Sequence, residues 1–425
     1  MIHLHHITFE NNGRKIVYDY SYDAAISKFF KAKQPFFSEY DTDVSQVPMS
    51  IAVIPFLANF APIAWFAGFD IAVPETDADF VKALASIRNE FAKYQLQMAN
   101  LKSELKTTAV QNQIKGNKSV MLFSGGVDAF TTYFRHFDEN PDLVTLHGAD
   151  IELSDQKQWQ EVKNFNENES ILKHNSKNYI TTNLHDFYTH EVDLLLPTLG
   201  WWGNVQHGLA LIASLAPLSW INGYGKIYIA STQSVTMEFT RWGSMPETDE
   251  KISWAGIAVV HDGFELKRQD KVDFIVDSLR RIKTKTTIRV CFSELKTALN
   301  CSNCEKCIRT MFGILLAGGN PNDYGFIADI SLYDKVESAV NKGFKTPGTR
   351  FYWSEIFEKS KNNADFFVFS NFASENEKMQ QLSEIIGKSI EKKLVRPGKL
   401  HKIKLRLIKN NPKLFAKYLQ FRRKF

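Results

Sequence analysis

Residues 119–129 read Ser-Val-Met-Leu-Phe-Ser-Gly-Gly-Val-Asp-Ala, and this stretch indicates the class of fold. Its apolar start predicts a buried strand, and the pattern over 129–137 predicts a helix directly after the two glycines. Paired glycines allow a tight turn and a close approach of the backbone to an anion. The start of the following helix presents unpaired N–H groups and a positive dipole end to the same place. The stretch therefore predicts a phosphate-binding loop, in which Ser124 adds a hydroxyl donor and Asp128 holds Mg²⁺ or positions the loop.

Apolar runs and helical patterns alternate along the chain after this loop. Strands are expected at 142–146, 179–182, 226–230 and 287–291, and helices at 155–169, 204–218 and 271–281. Such alternation is typical of a parallel sheet with helices on both faces, which makes the expected fold class α/β. Ligands of these sheets bind beyond the carboxyl ends of the strands, close to the point where the strand order reverses.

The sequence predicts three parts. An N-terminal α+β accessory domain (1–112) comes first, the nucleotide domain (113–318) follows, and a mainly helical accessory region (319–425) comes last. A helix is predicted over 77–105 and a linker over 107–118. The segment from Val44 to Phe69 contains no charged side chain. It is long enough to span a bilayer. Three prolines interrupt this segment and favour a buried element over a transmembrane helix.

The charge of the chain is unevenly distributed. From Lys388 to the C-terminus there are 14 Lys or Arg and one acid, so this tail carries +13 and the rest of the chain −8. Apolar residues lie among the bases, which gives a basic amphipathic pattern. Such a tail fits an anionic membrane surface, nucleic acid phosphates or the acidic body of the protein itself. No secretory signal is visible at the N-terminus, so the expected location is cytoplasmic.

The four cysteines lie within 17 residues, with the spacing C-x₉-C-x₂-C-x₂-C: Cys291, Cys301, Cys304 and Cys307. Two-residue gaps let successive cysteines turn around one tetrahedral ion. In a chain without a secretory signal, such a cluster favours metal binding over disulfides. Four thiolates leave no position for water, so a structural zinc is the first interpretation. An iron–sulfur cluster uses the same ligands, and a metal-free cluster is the third alternative.

The glycine loop resembles the S-G-G-x-D-[ST] signature of the PP-loop ATP pyrophosphatases. The resemblance implies that ATP is cleaved between its α- and β-phosphates and that the loop binds the leaving pyrophosphate. It makes Ser124 and Asp128 the catalytic side chains, and it places ATP at Ser124, Gly125, Gly126, Val127 and Asp128. The chain departs from the signature at Ala129, where the family has Ser or Thr, so one hydroxyl ligand to phosphate is missing.

Loop and cysteine spacing together are similar to those of the 7-cyano-7-deazaguanine synthases, the queuosine-pathway members of this superfamily. Those enzymes carry almost the same four-cysteine zinc pattern at the end of the same domain. They convert a carboxylate into an amide and then a nitrile, using ATP and ammonia. The resemblance covers 119–315, about half of the chain, and implies a divergent and larger relative.

Polar residues at three further places are candidate ligand contacts. Asn204 and His207 open the expected helix at 204–218, where polar groups either cap the helix or face a ligand. Thr232 and Gln233 follow the fourth expected strand, at the end where a parallel sheet presents its ligand contacts. Arg309 follows the cysteines and is either an ATP-binding phosphate contact or an exposed or ion-paired arginine.

These features favour an ATP-dependent ligase or amidating enzyme that adenylates a carboxylate or carbonyl oxygen of a small molecule. The expected cofactors are ATP, Mg²⁺ and Zn²⁺, and the expected second substrate is a nitrogen nucleophile. Two other classes stay open. The basic tail suits a tRNA-modifying enzyme, although sulfur transfer needs a free cysteine and the cluster is closed. Ala129 suits a non-catalytic nucleotide-binding partner in a defence or polysaccharide-assembly system.

Overall fold

The structure is a computed structural model that describes residues 1–31, 35–95, 98, 100–197, 200–237, 241–291 and 299–394. The chain forms two compact units. Of the described residues, unit 1 contains those within Met1–Cys301 and Asp323–Gly325, and unit 2 contains those within Ser302–Asn322 and from Phe326 onward. The basic tail lies outside the described residues from 395 onward, and the interpretation of its partner stays a prediction.

Unit 1 is built around one mixed sheet. Its strands are β1 (Ile2–Glu10), β2 (Lys15–Tyr22), β3 (Phe37–Tyr40), β4 (Ile71–Asp77), β5 (Leu105–Val110), β6 (Lys118–Leu122), β7 (Asp142–His147), β8 (Lys177–Thr182), β9 (Tyr224–Ala230) and β10 (Ala258–Asp262). They lie in the order β10-β9-β6-β7-β8-β3-β2-β1-β4-β5. Three neighbouring pairs are antiparallel and the other six are parallel. The expected α/β class is therefore confirmed.

Thirteen α-helices lie in the described part of the chain. In unit 1 they are α1 (Met49–Ala52), α2 (Ile54–Ala67), α3 (Ala78–Ala92), α4 (Val127–Arg135), α5 (Gln156–Asn168), α6 (His207–Ala213), α7 (Ala216–Asn222), α8 (Pro246–Asp249) and α9 (Arg268–Arg281). In unit 2 they are α10 (Glu305–Leu316), α11 (Leu332–Asn341), α12 (Pro347–Lys361) and α13 (Phe372–Glu391). The described residues of unit 2 thus form helices and the loops between them.

Strands β6 to β10 form an all-parallel half of the sheet. The chain moves outward from β6 through β7 to β8, then returns to the other side of β6 for β9 and β10. Numbered along the chain, these five strands have the order 3-2-1-4-5, which begins the order found in doubly wound nucleotide-binding sheets. The reversal leaves a crevice between the carboxyl ends of β6 and β9.

The strands of the N-terminal region extend this same sheet. β3 pairs antiparallel with β8, with Tyr40 opposite Ile180, and this pairing covers an edge that would otherwise expose unpaired backbone groups. The linker expected at 107–118 is wrong for its first residues, because β5 continues to Val110. Threonine and valine in that stretch favour a strand. The helix expected over 77–105 ends already at Ala92.

The charge-free segment of the N-terminal region contains the buried helix α2. Its Phe56 ring packs against Tyr18 and Phe60, with centroids 5.5 and 4.1 Å apart. Asn59 is satisfied inside the core, because its Oδ1 accepts a hydrogen bond from Gln206 Nε2 at 2.6 Å. The expectation of a buried element is confirmed. Across the described ranges, no helix combines the length and the apolarity that a membrane span requires.

Residues 287–291, expected as the fifth strand, do not join the sheet. That place is taken by β10, for which the sequence predicted no strand. The wrong prediction came from the alternation of apolar and polar residues in this segment. Ile288 and Val290 are indeed buried, as they would be in a strand. The backbone instead joins the glycine loop, with Arg289 N donating to Gly125 O at 2.7 Å.

Candidate active site

The glycine loop follows β6 at the carboxyl edge of the sheet. Gly125 has a φ of +71°, in the left-handed region that favours glycine, and a Cβ there would lie 2.9 Å from the Phe165 ring. Gly126 is the N-cap of α4, with an extended backbone. Because α4 begins at Val127, the N–H groups of its first turn have no acceptor within the helix. The loop therefore turns the chain and directs backbone donors toward the crevice.

A pocket of about 140 Å³ opens beside the loop. Its walls come from the ends of β6, β7 and β9, from the starts of α4 and α6, and from the segment that holds Arg289. Apolar side chains such as Leu122, Leu211 and Ile229 form part of the lining. The charged or hydrogen-bonding lining residues include Ser124, Asp128, Asp150, His207, Thr232 and Arg289. Apolar walls with a few convergent polar groups are typical of a small-molecule site.

Two cations from α9 reach Asp128. Arg268 Nη2 is 2.9 Å from Asp128 Oδ2, and Lys271 Nζ is 3.2 Å from Oδ1. The Lys271 ammonium also donates to Ser231 O at 2.5 Å, and its side chain is only 2% exposed. Burial lowers the pKa of Lys271, although Asp128 acts in the opposite direction. An ammonium group thus lies between the end of β9 and the start of α4.

Arg289 brings a third cation to the loop. Its Nη1 donates to Ser124 O at 3.2 Å, in addition to the backbone hydrogen bond with Gly125. Asp150, also in the pocket lining, is its electrostatic partner. Arg268, Lys271 and Arg289 thus lie around the loop together with the carboxylates of Asp128 and Asp150, and these cations are able to attract an anionic ligand.

His207 forms a further wall of the pocket, directly after a π-helix at Trp202–Gln206. Its ring packs against Trp202 and Trp242, with centroids 4.9 and 5.6 Å away. Burial lowers the pKa of His207, so the imidazole is neutral near pH 7. Within the described residues its buried Nδ1 has no hydrogen-bond partner. A neutral imidazole of this kind is able to accept a proton or a hydrogen bond.

The structure brings together four of the residues that the sequence selected, since the pocket lining includes Ser124, Asp128, His207 and Thr232. Neither Asn204 nor Gln233 is among the described residues that line it. Asn204 Nδ2 donates to Gly200 O at 2.9 Å. Gln233 is buried, and its backbone carbonyl oxygen accepts a hydrogen bond from Ser231 Oγ at 2.8 Å.

Arg309 belongs to α10 in unit 2. Its Nε is 2.9 Å from Glu305 Oε1, and its guanidinium lies over the Tyr352 ring, 4.5 Å from the centroid. Arg309 is therefore ion-paired within unit 2, which is one of the alternatives that the sequence left open. A phosphate-binding role for Arg309 stays a prediction.

The four cysteines form a compact cluster, with the sulfurs of Cys291, Cys301, Cys304 and Cys307 within 4.8 Å of one another. Cys304 is the N-cap of α10, and Cys307 lies in its first turn. A tetrahedral zinc site with Zn–S bonds of about 2.3 Å has S–S edges of about 3.8 Å. The sulfurs therefore need to approach by about 1 Å or less to surround an ion. The cluster can bind a metal such as zinc.

Four residues at the site were missed from the sequence: Asp150, Arg268, Lys271 and Arg289. Asp150 comes shortly after β7, and Arg268 is the first residue of the helix after β10. Both positions follow the carboxyl end of a strand, where ligands of such sheets bind, and could have been selected for that reason. Lys271 and Arg289 have no such signal, because their spacing is that of ordinary helix and strand residues.

No protein-family model, curated protein or solved structure matches this chain. Function is therefore argued from the chemistry of the site, because a fold alone does not imply one.

Proposed function

We propose that this protein is an ATP-dependent ligase of the PP-loop type, which adenylates a carboxylate or carbonyl oxygen of a small molecule and releases pyrophosphate. The observation that carries the proposal is the position of the Ser124-Gly125-Gly126 loop, beside a pocket where the strand order reverses. Doubly wound sheets bind nucleotides at that place, with phosphate at the start of the following helix. The cationic surroundings of the loop support an anionic ligand.

The first step is attack by a substrate oxygen on the α-phosphorus of ATP. A new O–P bond forms while the bond to the bridging oxygen of pyrophosphate breaks, and the electron pair leaves with pyrophosphate. Backbone N–H groups of the loop and the Ser124 hydroxyl stabilise this departing charge. An ionised carboxylate carries no proton, so this step needs positioning and electrostatic stabilisation without a general base.

In the second step a nitrogen nucleophile attacks the activated carbon, and AMP leaves with the electron pair of the broken C–O bond. The nitrogen must lose a proton as the new C–N bond forms. His207 supports this step, because it is neutral and lines the pocket. Burial keeps the imidazole unprotonated near pH 7, so it is able to accept the proton that the nitrogen loses.

Zinc is the proposed occupant of the cysteine cluster. Four thiolates complete a tetrahedral shell without an open position, so the ion has a structural role. When bound, it contributes folding free energy to the segment that carries its ligands. Catalysis is assigned to the pocket residues alone.

Product analysis tests this proposal. The purified full chain is incubated with ATP labelled at the α-phosphate, Mg²⁺, ammonium and pooled small carboxylic acids. We expect AMP as the labelled product, with at least about tenfold slower turnover for Ser124→Ala, since one transition-state donor is worth at least that factor. Ser86→Ala, a partly exposed serine on α3, is the matched control. ADP as the main product would exclude an adenylating enzyme, and ATP binding without turnover would favour the non-catalytic alternative.

A further inference from the structure

The charged groups around the pocket differ from place to place. At the glycine loop, Arg268 Nη2 and Lys271 Nζ lie 2.9 and 3.2 Å from the carboxylate oxygens of Asp128. This arrangement does not fit Mg²⁺ at Asp128, because a divalent ion would meet two cations at close range. The surroundings of His207 have the opposite character, since carboxylates act on its imidazole.

A row of neighbouring side chains leads from the pocket to a second histidine. Val144 lies opposite Leu122 in the pairing of β7 with β6, and Ile229 lies opposite His261 in the pairing of β9 with β10. The first three of these residues line the pocket. Paired residues of neighbouring strands direct their side chains to the same face of a sheet. His261 therefore lies on the pocket face of the sheet, directly beyond Ile229.

The His261 ring is held by a buried carboxylate. Its Nδ1 is 2.8 Å from Asp249 Oδ2, and both side chains are only 1% exposed. An ionised carboxylate only accepts hydrogen bonds, so Nδ1 carries the hydrogen and Nε2 of the neutral ring is an acceptor. Within the described ranges this Nε2 is buried and has no hydrogen-bond partner. A buried acceptor without a donor is unfavourable, so the atom suits a ligand that brings a hydrogen to donate.

The Asp249 carboxylate also lies close to the start of α6, beside His207. Gly208 follows His207, and a Cβ at Gly208 would lie 2.1 Å from Asp249 Oδ1. Any side chain at position 208 would therefore displace the carboxylate. Burial lowers the pKa of His207, and the carboxylates of Asp150 and Asp249 act in the opposite direction without outweighing burial. A neutral imidazole beside two carboxylates favours a cation that donates hydrogen bonds.

We propose that the nitrogen nucleophile binds beside His207 as an ammonium ion or a small primary ammonium group. The imidazoles of His207 and His261 accept its hydrogen bonds, and the carboxylates of Asp150 and Asp249 balance its charge. We call these four residues the amine site. This inference rests on the proposed function and names the chemical class of its second substrate. An ammonium group has donors and no acceptor, which matches the imidazole acceptors, whereas the amide of a glutamine is neutral and leaves the carboxylates unbalanced.

The amine site also takes up the protons that the reaction releases. Conversion of an ammonium nitrogen into an amide nitrogen breaks two N–H bonds and forms one C–N bond. The electron pair of the first N–H bond becomes the lone pair that attacks the activated carbon, and the proton passes to Nε2 of His261. The second proton passes to His207 as the C–N bond forms, and its electron pair stays on the nitrogen. The Asp249 carboxylate stabilises the imidazolium of His261, to which it is hydrogen-bonded.

NMR of the histidine ring nitrogens tests ammonium binding directly. The full chain is labelled with ¹⁵N in its 11 histidines and titrated with ammonium chloride. Sodium chloride controls for ionic strength, and tetramethylammonium chloride supplies a cation without N–H donors. We expect the ring resonances of His207 and His261 to shift and to saturate with ammonium chloride alone. Both histidines are assigned from the spectra of single variants.

Asp150→Asn removes one balancing charge from an exposed side chain, so the fold is little affected. We expect the affinity for ammonium to fall about tenfold, since one nearby opposite charge is worth about that factor. Asp138→Asn is the matched control, because Asp138 is also exposed and is not among the described residues that line the pocket. It should bind ammonium as the wild type does.

His261→Asn removes the acceptor and keeps the contact with the buried carboxylate. The amide nitrogen of asparagine takes the place of Nδ1 and is able to donate to Asp249, while the Nε2 acceptor is lost. Read from the His207 resonance, ammonium affinity should fall about tenfold, since a hydrogen bond to a charged group is worth about that factor. His136→Asn is the matched control, because the ring of His136 is also hydrogen-bonded to a β10 carboxylate, that of Asp262, and its affinity should be unchanged. Thermal unfolding of each variant checks that the fold is retained.

The inference and the ligase proposal fail in different ways. If all three salts shift the two resonances equally, the histidines respond only to ionic strength, and the amine site is wrong. The absence of a saturable shift with ammonium would also overturn it, while AMP formation from ATP would still support a ligase with another nucleophile. If ammonium binds but product analysis yields no AMP, the ligase proposal fails and the amine site stands as a binding site alone.

Discussion

Replacing the two glycines of the loop one at a time separates the folding of the loop from its contact with a ligand. Gly125→Ala should lower the free energy of unfolding by about 2–3 kcal/mol. The left-handed backbone at φ +71° costs an alanine about 1–2 kcal/mol. Its Cβ would also lie 2.9 Å from the Phe165 ring, and moving that ring costs about 1 kcal/mol more.

Gly126→Ala should have the opposite effect, with a small loss of stability and a clear loss of pyrophosphate affinity. Its φ of −84° and ψ of 176° are open to any residue, and its Cβ would meet Ser124 Oγ at 3.3 Å and Arg289 O at 3.4 Å. The expected loss of stability is less than about 1 kcal/mol, because the backbone is unstrained. The added methyl group stands at the N-cap beside the backbone donors, where glycine permits close approach of an anion. Pyrophosphate binding should therefore weaken about tenfold, since about 1.4 kcal/mol of lost contact gives that factor.

Both quantities are measured on the same samples. Urea unfolding is followed by tryptophan fluorescence, which reports mainly on unit 1 because seven of the eight tryptophans lie there. Calorimetric titration with pyrophosphate gives the affinity. The reasoning is refuted if the two variants lose equal stability and neither changes pyrophosphate affinity. In that case the glycines only form a turn.

Three further outcomes are expected. Purified protein should contain about one zinc per chain and be colourless, and Cys304→Ala should lose soluble protein, as metal analysis and an absorption spectrum will show. Burial lowers the pKa of His136, but its hydrogen bonds, first that with Asp262, outweigh burial and raise it. Its stabilising contribution is therefore complete below the unfolded pKa of about 6.5 and is lost as pH rises through the higher folded value. The difference in thermal midpoint between wild type and His136→Gln should therefore shrink as pH rises above about 6.5. Asp249→Asn should cost about 1.5–3 kcal/mol in denaturant unfolding, because this buried carboxylate is hydrogen-bonded to buried His261 at 2.8 Å.

The loop and its two flanking elements were predictable because their signals are local. An apolar run, two glycines and a helical pattern all lie within 119–137, and β6 and α4 end within two residues of the predicted bounds. The side of β6 on which β9 pairs depends on contacts between segments about 100 residues apart. No short sequence pattern indicates on which side of β6 the strand β9 pairs. The residues that line the pocket could therefore not be predicted together from the sequence.

The missed cations have a different cause. Lysine is mostly exposed in proteins, so Lys271 on an otherwise amphipathic helix is expected to face solvent. Its burial makes sense only once Asp128 and Ser231 are placed on either side of it. The strand wrongly expected around Arg289 shows the same limit, because alternating burial occurs wherever an extended segment is covered by its neighbours.

The alanine at position 129 is compatible with the proposal that the loop binds phosphate through charge. Ala129 is buried and lines the pocket, so a serine or threonine there would add one neutral hydroxyl donor. Hydrogen bonds from a guanidinium to phosphate are roughly twice as strong as those between neutral groups. Contact from Arg289, already hydrogen-bonded to the loop, would offset the missing hydroxyl. Ala129 therefore does not separate a ligase from a non-catalytic nucleotide-binding protein.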